Sequence, residues 1–177
     1  MQPNPTPQNV VPTDGAERPL GWALEVLDVE ARALMALGER LKQPAHAEAF
    51  ETALGLLRDC RGQIVVTGMG KAGFIGMKLS SVLASTGVRS LYLHPADAVH
   101  GDLGRVQPGD VVVALSNSGS SEELVRLLPS FARLGTPVIA LTGNPDSPLA
   151  RASACVLDIG RVAEACPLGL VPTASTA

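Results

Sequence analysis

The stretch VVTGMGKAGFIG, Val65 to Gly76, sets Gly68, Gly70 and Gly73 in a G-x-G-x-x-G spacing directly after an apolar run. Glycines so spaced let a strand turn tightly into a helix whose first N–H groups can meet an anion. A dinucleotide bound there requires an acidic residue about 20 positions on, at the end of the next strand. Here that strand ends in Leu93-His94-Pro95, and the nearest acid, Asp97, stands past a proline. A P-loop fails as well, because Lys71 is followed by Ala72 instead of Ser or Thr, and position 65 is valine. Lys71 falls in the first turn of the following helix, where the macrodipole disfavours a cation and no Asp or Glu is near in sequence. A bound anion would remove that conflict, whereas a lysine extended into water would only tolerate it. Gly70 and Lys71 are candidates for contact with a phosphate or carboxylate.

A second loop, ALSNSGSSEE from Ala114 to Glu123, gathers Ser116, Ser118, Ser120 and Ser121 around Gly119, with Asn117 among them. Hydroxyls and free N–H groups converging just before a helix form a cradle for a phosphate monoester. A dinucleotide site has no use for this second cradle. Ser120-x-x-Glu123 also has the form of a capping box, so Glu123 is open to two roles, cap or active-site carboxylate. A cap needs one serine, which leaves Ser116, Ser118 and Ser121 for a ligand.

The elements that must carry these loops follow from the hydrophobic pattern. Residues 1–21 hold five prolines and no periodicity, and read as a disordered arm. From Trp22 the seam Leu24, Leu27, Ala31, Leu34, Gly38, Leu41 steps by three and four, predicting a helix that covers the domain's own core or a subunit interface. A second helix is expected over Ala45–Asp59. Strands are expected at Gln63–Thr67, Ser90–Leu93, Asp110–Leu115, Pro137–Leu141 and Ala154–Asp158. Between them come helices at Lys71–Ser85, Ala96–Leu103 and Ser121–Leu134, with Pro129 expected to kink the last. Strands alternating with helices at this interval predict an α/β fold: a doubly wound, five-stranded parallel sheet flanked by helices. Ligands bind such sheets at the carboxyl ends of the strands, where both loops fall.

Totals narrow the class. The chain has 177 residues, 46% hydrophobic but only 3% aromatic, so Ala, Val, Leu and Ile must fill one core. A net charge of −3 gives nucleic acid no basic face to bind. No apolar run approaches the roughly 20 residues of a membrane span, and the first residues lack the order of a secretory signal. Cys60, Cys155 and Cys166 show no C-x-x-C spacing, which predicts reduced thiols in a cytoplasm and no metal site.

GMGKAG, HPADAVHGDLG, SNSGSSEE and EACPLGLVPTAST, in that order, strongly resemble the sugar isomerase (SIS) domain of bacterial D-arabinose-5-phosphate isomerases. The resemblance runs from about Trp22 to the last residue, so residues 22–177 are expected to form that domain. It implies interconversion of D-ribulose 5-phosphate and D-arabinose 5-phosphate, a feed into Kdo and lipopolysaccharide synthesis, a homotetramer and no organic cofactor. It also implies the roles of single residues. Lys71 becomes an active-site cation, and His100, Glu123 and Glu164 match the family's other functional positions. Glu164 is favoured for proton transfer, with Glu123 next. Ser116, Ser118 and Ser121 become the phosphate clamp, with Ser175 and Thr176 as lesser candidates.

This sequence departs from the family pattern in places. Relatives continue past PTASTA into an apolar helix and a histidine in an S-H-P-G-G pattern, and many carry a tandem CBS module. A chain without that histidine is expected to bind the sugar phosphate and to turn it over poorly. Ala72 and Phe74 stand where relatives often carry Ser and His. Three rivals remain: a sugar-phosphate binding module as found in some transcriptional regulators, an isomerase of another phosphosugar, and a nicotinamide enzyme resting on G-x-G-x-x-G alone.

Overall fold

The computed structural model describes residues 18–166 and 171–177. Two helices lead, α1 (Arg18–Leu41) and α2 (Pro44–Arg58), and then strands and helices alternate. In chain order these are β1 (Ile64–Gly68), α3 (Gly70–Ser85), β2 (Ser90–Leu93), α4 (Pro95–Val99), β3 (Val111–Leu115), α5 (Glu122–Arg133), β4 (Val138–Thr142), α6 (Pro148–Ala152) and β5 (Cys155–Asp158). Short 3₁₀ turns cover Asp102–Arg105 and Ala174–Thr176. The five strands form one sheet in the order β2-β1-β3-β4-β5, every pair parallel.

The central strands β1 and β3 are buried on both faces, which is why they read as continuous apolar runs, while the edge strands β2 and β5 are partly exposed. Period two divides them. Val65, Val112, Ala114, Val138 and Ala140 face a cluster built with Leu124, Leu127 and Phe131 of α5 and Leu149 of α6. Ile64, Val66, Val111, Val113 and Ile139 face the opposite cluster, covered by α2 and by Leu79 and Leu83 of α3. At the amino ends of the strands Asp110, only 3% exposed, ties β1 to β3. Its carboxylate accepts the N–H of Gln63 at 2.9 Å and of Gln107 at 2.8 Å.

Most expected elements lie within a residue or two of those seen; the rest differ for physical reasons. Residues 18–21, read as arm, are the first turn of α1, with Pro19 tolerated there because helix-start N–H groups have no intrahelical partner. Residues 1–17 lie outside the described residues. The stretch expected as one helix over Ala96–Leu103 divides at Gly101, whose φ of 138° no helix accommodates. α5 runs unbroken through Pro129. α6 was not expected; Ser147 caps it, accepting the Ala150 N–H at 3.2 Å.

α1 holds the largest surprise. Its leucine seam does not face the domain's own core: Leu24, Leu27 and Leu34 are 57%, 61% and 53% exposed, as is Leu20 one turn before them, at 69%. The inward stripe is Val26, Val29, Ala33, Leu37 and Arg40, again spaced by threes and fours. Arg40 donates to Asp158 at 3.0 Å, fastening the end of α1 to the end of β5. Among the described residues no helix is long and apolar enough to cross a membrane.

Candidate active site

The strand order reverses between β1 and β3, and the two loops singled out in the sequence follow these strands. In open α/β sheets a crevice opens at this switch point. It is present as a cavity of about 560 Å³.

The glycine loop forms one wall. A Cβ on Gly73 would lie 2.5 Å from the Tyr92 hydroxyl and 2.7 Å from the Gly68 carbonyl, so only glycine lets α3 pack this close to β1 and β2. Tyr92 Oη donates to that carbonyl at 2.6 Å and fixes the turn from the β2 side. Gly70, at φ 57°, is exposed at the head of α3. Lys71 follows it in the first helical turn and lines the cavity, and among the described residues its ammonium has no hydrogen-bond or ion-pair partner.

The serine loop forms the second wall. Ser116, Asn117, Ser118 and Ser121 all line the cavity. Ser116 is 5% exposed; its Oγ accepts the Gly119 N–H at 3.1 Å and lies 3.1 Å from the Ser121 Oγ. Ser121 is the N-cap of α5 in backbone geometry, yet its side chain makes no cap bond, so its hydroxyl stays available to a ligand. With the cap at Ser121, the expected Ser120–Glu123 box falls out of register and does not form.

The third wall is the chain beyond β5. Glu164 reaches the cavity, and its Oε2 accepts the Thr173 N–H at 2.7 Å, the Thr173 hydroxyl at 3.1 Å and the Ser175 N–H at 3.2 Å. Burial by itself would raise the pKa of this carboxyl. The Ser175 and Thr173 hydrogen bonds outweigh burial together and hold it below the usual glutamate range. Glu164 is thus an anion at neutral pH with one oxygen anchored. Ser175 and Thr176 line the cavity from the 3₁₀ turn.

Two expected members are not brought in. His100 is exposed beyond the end of α4, with its N–H on the Asp97 carbonyl at 3.0 Å, and it is not among the cavity's lining residues. Glu123 is half-buried in the first turn of α5 and also lies off the lining. The cavity's titratable side chains among the described residues are therefore Lys71 and Glu164. Sequence reasoning missed the apolar wall of Leu37, Met69, Ile75 and Ile159. It also missed Thr173 as the anchor of Glu164, although Thr173 lies inside the PTAST string that marks this segment. Among the described residues no cluster of three His, Cys, Asp or Glu could hold a metal ion.

A parallel sheet with a serine-lined crevice at its switch point, faced by a lysine and a carboxylate, places the chain among open α/β domains with a polar crevice at the carboxyl ends of their strands. The family model of the SIS domain matches residues 56–176, and the chain belongs to that family. The arabinose 5-phosphate isomerase KdsD of Salmonella typhi is 47% identical over 152 residues, 86% of this chain and 45% of that protein. The enzyme of the same name from Pseudomonas aeruginosa is 54% identical over 127 residues, 72% of this chain and 39% of its own length. The chain thus spans less than half the length of these curated relatives. A protein of E. coli CFT073 solved with a sugar-phosphate ligand superposes with a TM-score of 0.82 at 34% identity, over 92% of this chain and 84% of that one. The sugar isomerase domain of the RpiR transcription factor from Sphaerobacter thermophilus shares the fold, with a TM-score of 0.64 at 23% identity over 89% of this chain and 83% of that one.

Proposed function

We propose that this chain is the isomerase unit of an arabinose 5-phosphate isomerase, interconverting D-ribulose 5-phosphate and D-arabinose 5-phosphate through an enediol. One observation carries the reading: Lys71 and Glu164 line the same cavity as the serine cradle. Aldose–ketose isomerisation needs a phosphate clamp, a base and a cation for the developing oxyanion. From the open-chain aldose, the Glu164 carboxylate takes the proton from C2, and the electron pair of that C–H bond forms the C1–C2 double bond. The carbonyl oxygen on C1 becomes an enediolate that the Lys71 ammonium stabilises. The proton on the C2 oxygen passes to the C1 oxygen, and Glu164 returns the carbon-bound proton to C1, which completes the ketose. All hydrogen moved stays within the sugar or exchanges with water, so no organic cofactor enters the reaction.

The particular sugar rests on the resemblance and on the named relatives, as do the supply of Kdo and lipopolysaccharide synthesis and the cytoplasmic setting. A homo-oligomer, a tetramer by the same resemblance, is supported by the exposed leucine seam of α1. A sugar-phosphate binding module is the second reading, favoured by the position of His100 and Glu123 off the cavity wall. Incubation with D-ribulose 5-phosphate in heavy water, followed by NMR, separates the two. An isomerase forms arabinose 5-phosphate deuterated at C2, and Glu164→Gln slows this by about 10²–10⁴-fold. A binding module shifts resonances on adding the sugar phosphate and forms no product, which would sink the enzymatic reading.

A further inference from the structure

The segment from the last residue of β4 into α6, TGNPDSPL from Thr142 to Leu149, carries no recognisable chemistry in the sequence. In the structure it stands directly behind the serine cradle and holds three consecutive carbonyls. The Asn117 carbonyl accepts the Thr142 hydroxyl at 3.2 Å and the Gly143 N–H at 3.0 Å. The Ser118 carbonyl accepts the Asn144 side-chain amide at 3.4 Å, and the Gly119 carbonyl accepts the Leu149 N–H at 3.1 Å. Thr142 is fully buried, and its Oγ1 also accepts the Asn144 N–H at 3.2 Å, joining the two side chains in one network. Gly119, at φ 62°, lies so close to Ser147 that a Cβ there would overlap its side chain.

Every described peptide bond is trans, so a carbonyl and the following N–H lie in one plane and point in opposite directions. Holding the Asn117 carbonyl toward β4 turns the Ser118 N–H away from β4, and this N–H has no hydrogen-bond partner among the described residues. The next two N–H groups are satisfied by hydroxyl oxygens of the cradle itself, Gly119 by Ser116 Oγ at 3.1 Å and Ser120 by Ser118 Oγ at 3.3 Å. A hydroxyl whose oxygen accepts retains its own proton: that of Ser118 is free to donate, while one proton of the Ser116–Ser121 pair is shared between their oxygens and the other is left over. Anchoring the carbonyls from behind therefore leaves donors in front.

We propose that Thr142 and Asn144 are positioning residues that set the anion affinity of the serine cradle without touching the ligand. This rests on the reading of that cradle as the phosphate clamp. Removing the Thr142 hydroxyl leaves the Asn117 carbonyl with the Gly143 N–H alone, and removing the Asn144 amide leaves the Ser118 carbonyl without its anchor; each loosens a peptide plane, and the donors then face the phosphate for only part of the time. The loss falls on binding of the phosphate group, not on proton transfer by Glu164.

The test is a titration of inorganic phosphate, at fixed ionic strength, into the wild-type chain and the variants Thr142→Val, Thr142→Ser, Asn144→Ala and Ser118→Ala. The Ser118 amide resonance is followed, and isomerisation of D-ribulose 5-phosphate is measured in parallel. Thr142→Val and Asn144→Ala should each weaken phosphate binding about three- to tenfold, the span of one neutral hydrogen bond. KM should rise by a similar factor with kcat little changed, and Thr142→Ser should behave as wild type. Asn144 is exposed, so its variant carries the test even if Thr142→Val unfolds. Wild-type affinity in both anchor variants, with loss only in Ser118→Ala, would overturn the positioning role and leave the clamp standing. A Ser118 amide that ignores phosphate in the wild-type chain would overturn the clamp and this inference together.

Discussion

Glu164 has one carboxylate oxygen anchored and a pKa held below the usual glutamate range, so it is ionised at neutral pH. In the proposed reaction it would take the proton of an acidified C–H and give it back readily. The acid limb of kcat/KM that belongs to it should lie below the ordinary glutamate range near 4.3, and a pH–rate profile checks this. The same shift bears on stability. A carboxyl with a folded-state pKa below its unfolded value stabilises the fold above the unfolded value, and the contribution is lost as pH falls through the folded one. Glu164→Gln should therefore narrow the gap between stability at neutral pH and stability in acid, measured by denaturant unfolding at both. Lys71→Met tests the other half of the pair. It should lower kcat by about 10²-fold or more while phosphate titrations change far less, because the cation is assigned to the oxyanion and the serines to the phosphate.

At the scale of elements, the two ends of the sheet divide the labour. The carboxyl ends hold the glycine, serine and Glu164 segments; the amino ends hold the Asp110 knot. Asp110→Ala strands two backbone N–H groups and should cost about 3 kcal/mol in unfolding free energy without altering the site. Gly73→Ala forces α3 off the Gly68 turn and should cost about 1–3 kcal/mol and reduce turnover as well. The strands and their carboxyl-end loops were legible in the sequence because parallel strands buried on both faces leave unbroken runs such as VVVAL. The serine loop was legible by content alone. Less accessible were features set by a single residue's backbone. α5 is capped at Ser121 and not Ser120, which removes the capping box, and Gly101 divides the helical stretch expected across His100. The supports of the cradle were invisible for a related reason: several act through main-chain atoms, which leave no side-chain signature.

Across the whole molecule, α1 is a helix with two stripes. A pattern of threes and fours announces an apolar seam but not what the seam meets, and both stripes of α1 satisfy it. The inward one reaches Leu37, in the wall of the candidate site, and Arg40, on Asp158. The outward one is left to another surface, and a second copy of the chain is its expected occupant. Leu24→Glu with Leu27→Glu should shift sedimentation to a smaller species while far-ultraviolet circular dichroism stays unchanged; an unaltered mass would reject the seam as an interface. The lone tryptophan of the chain, Trp22, sits on this same helix, 40% exposed and apart from the cavity lining. Four residues ahead of Val26, it continues the inward stripe, so its emission is a built-in gauge of how α1 is seated: a helix lifting from the domain should redden it, while a sugar phosphate entering the crevice should leave its colour as it was.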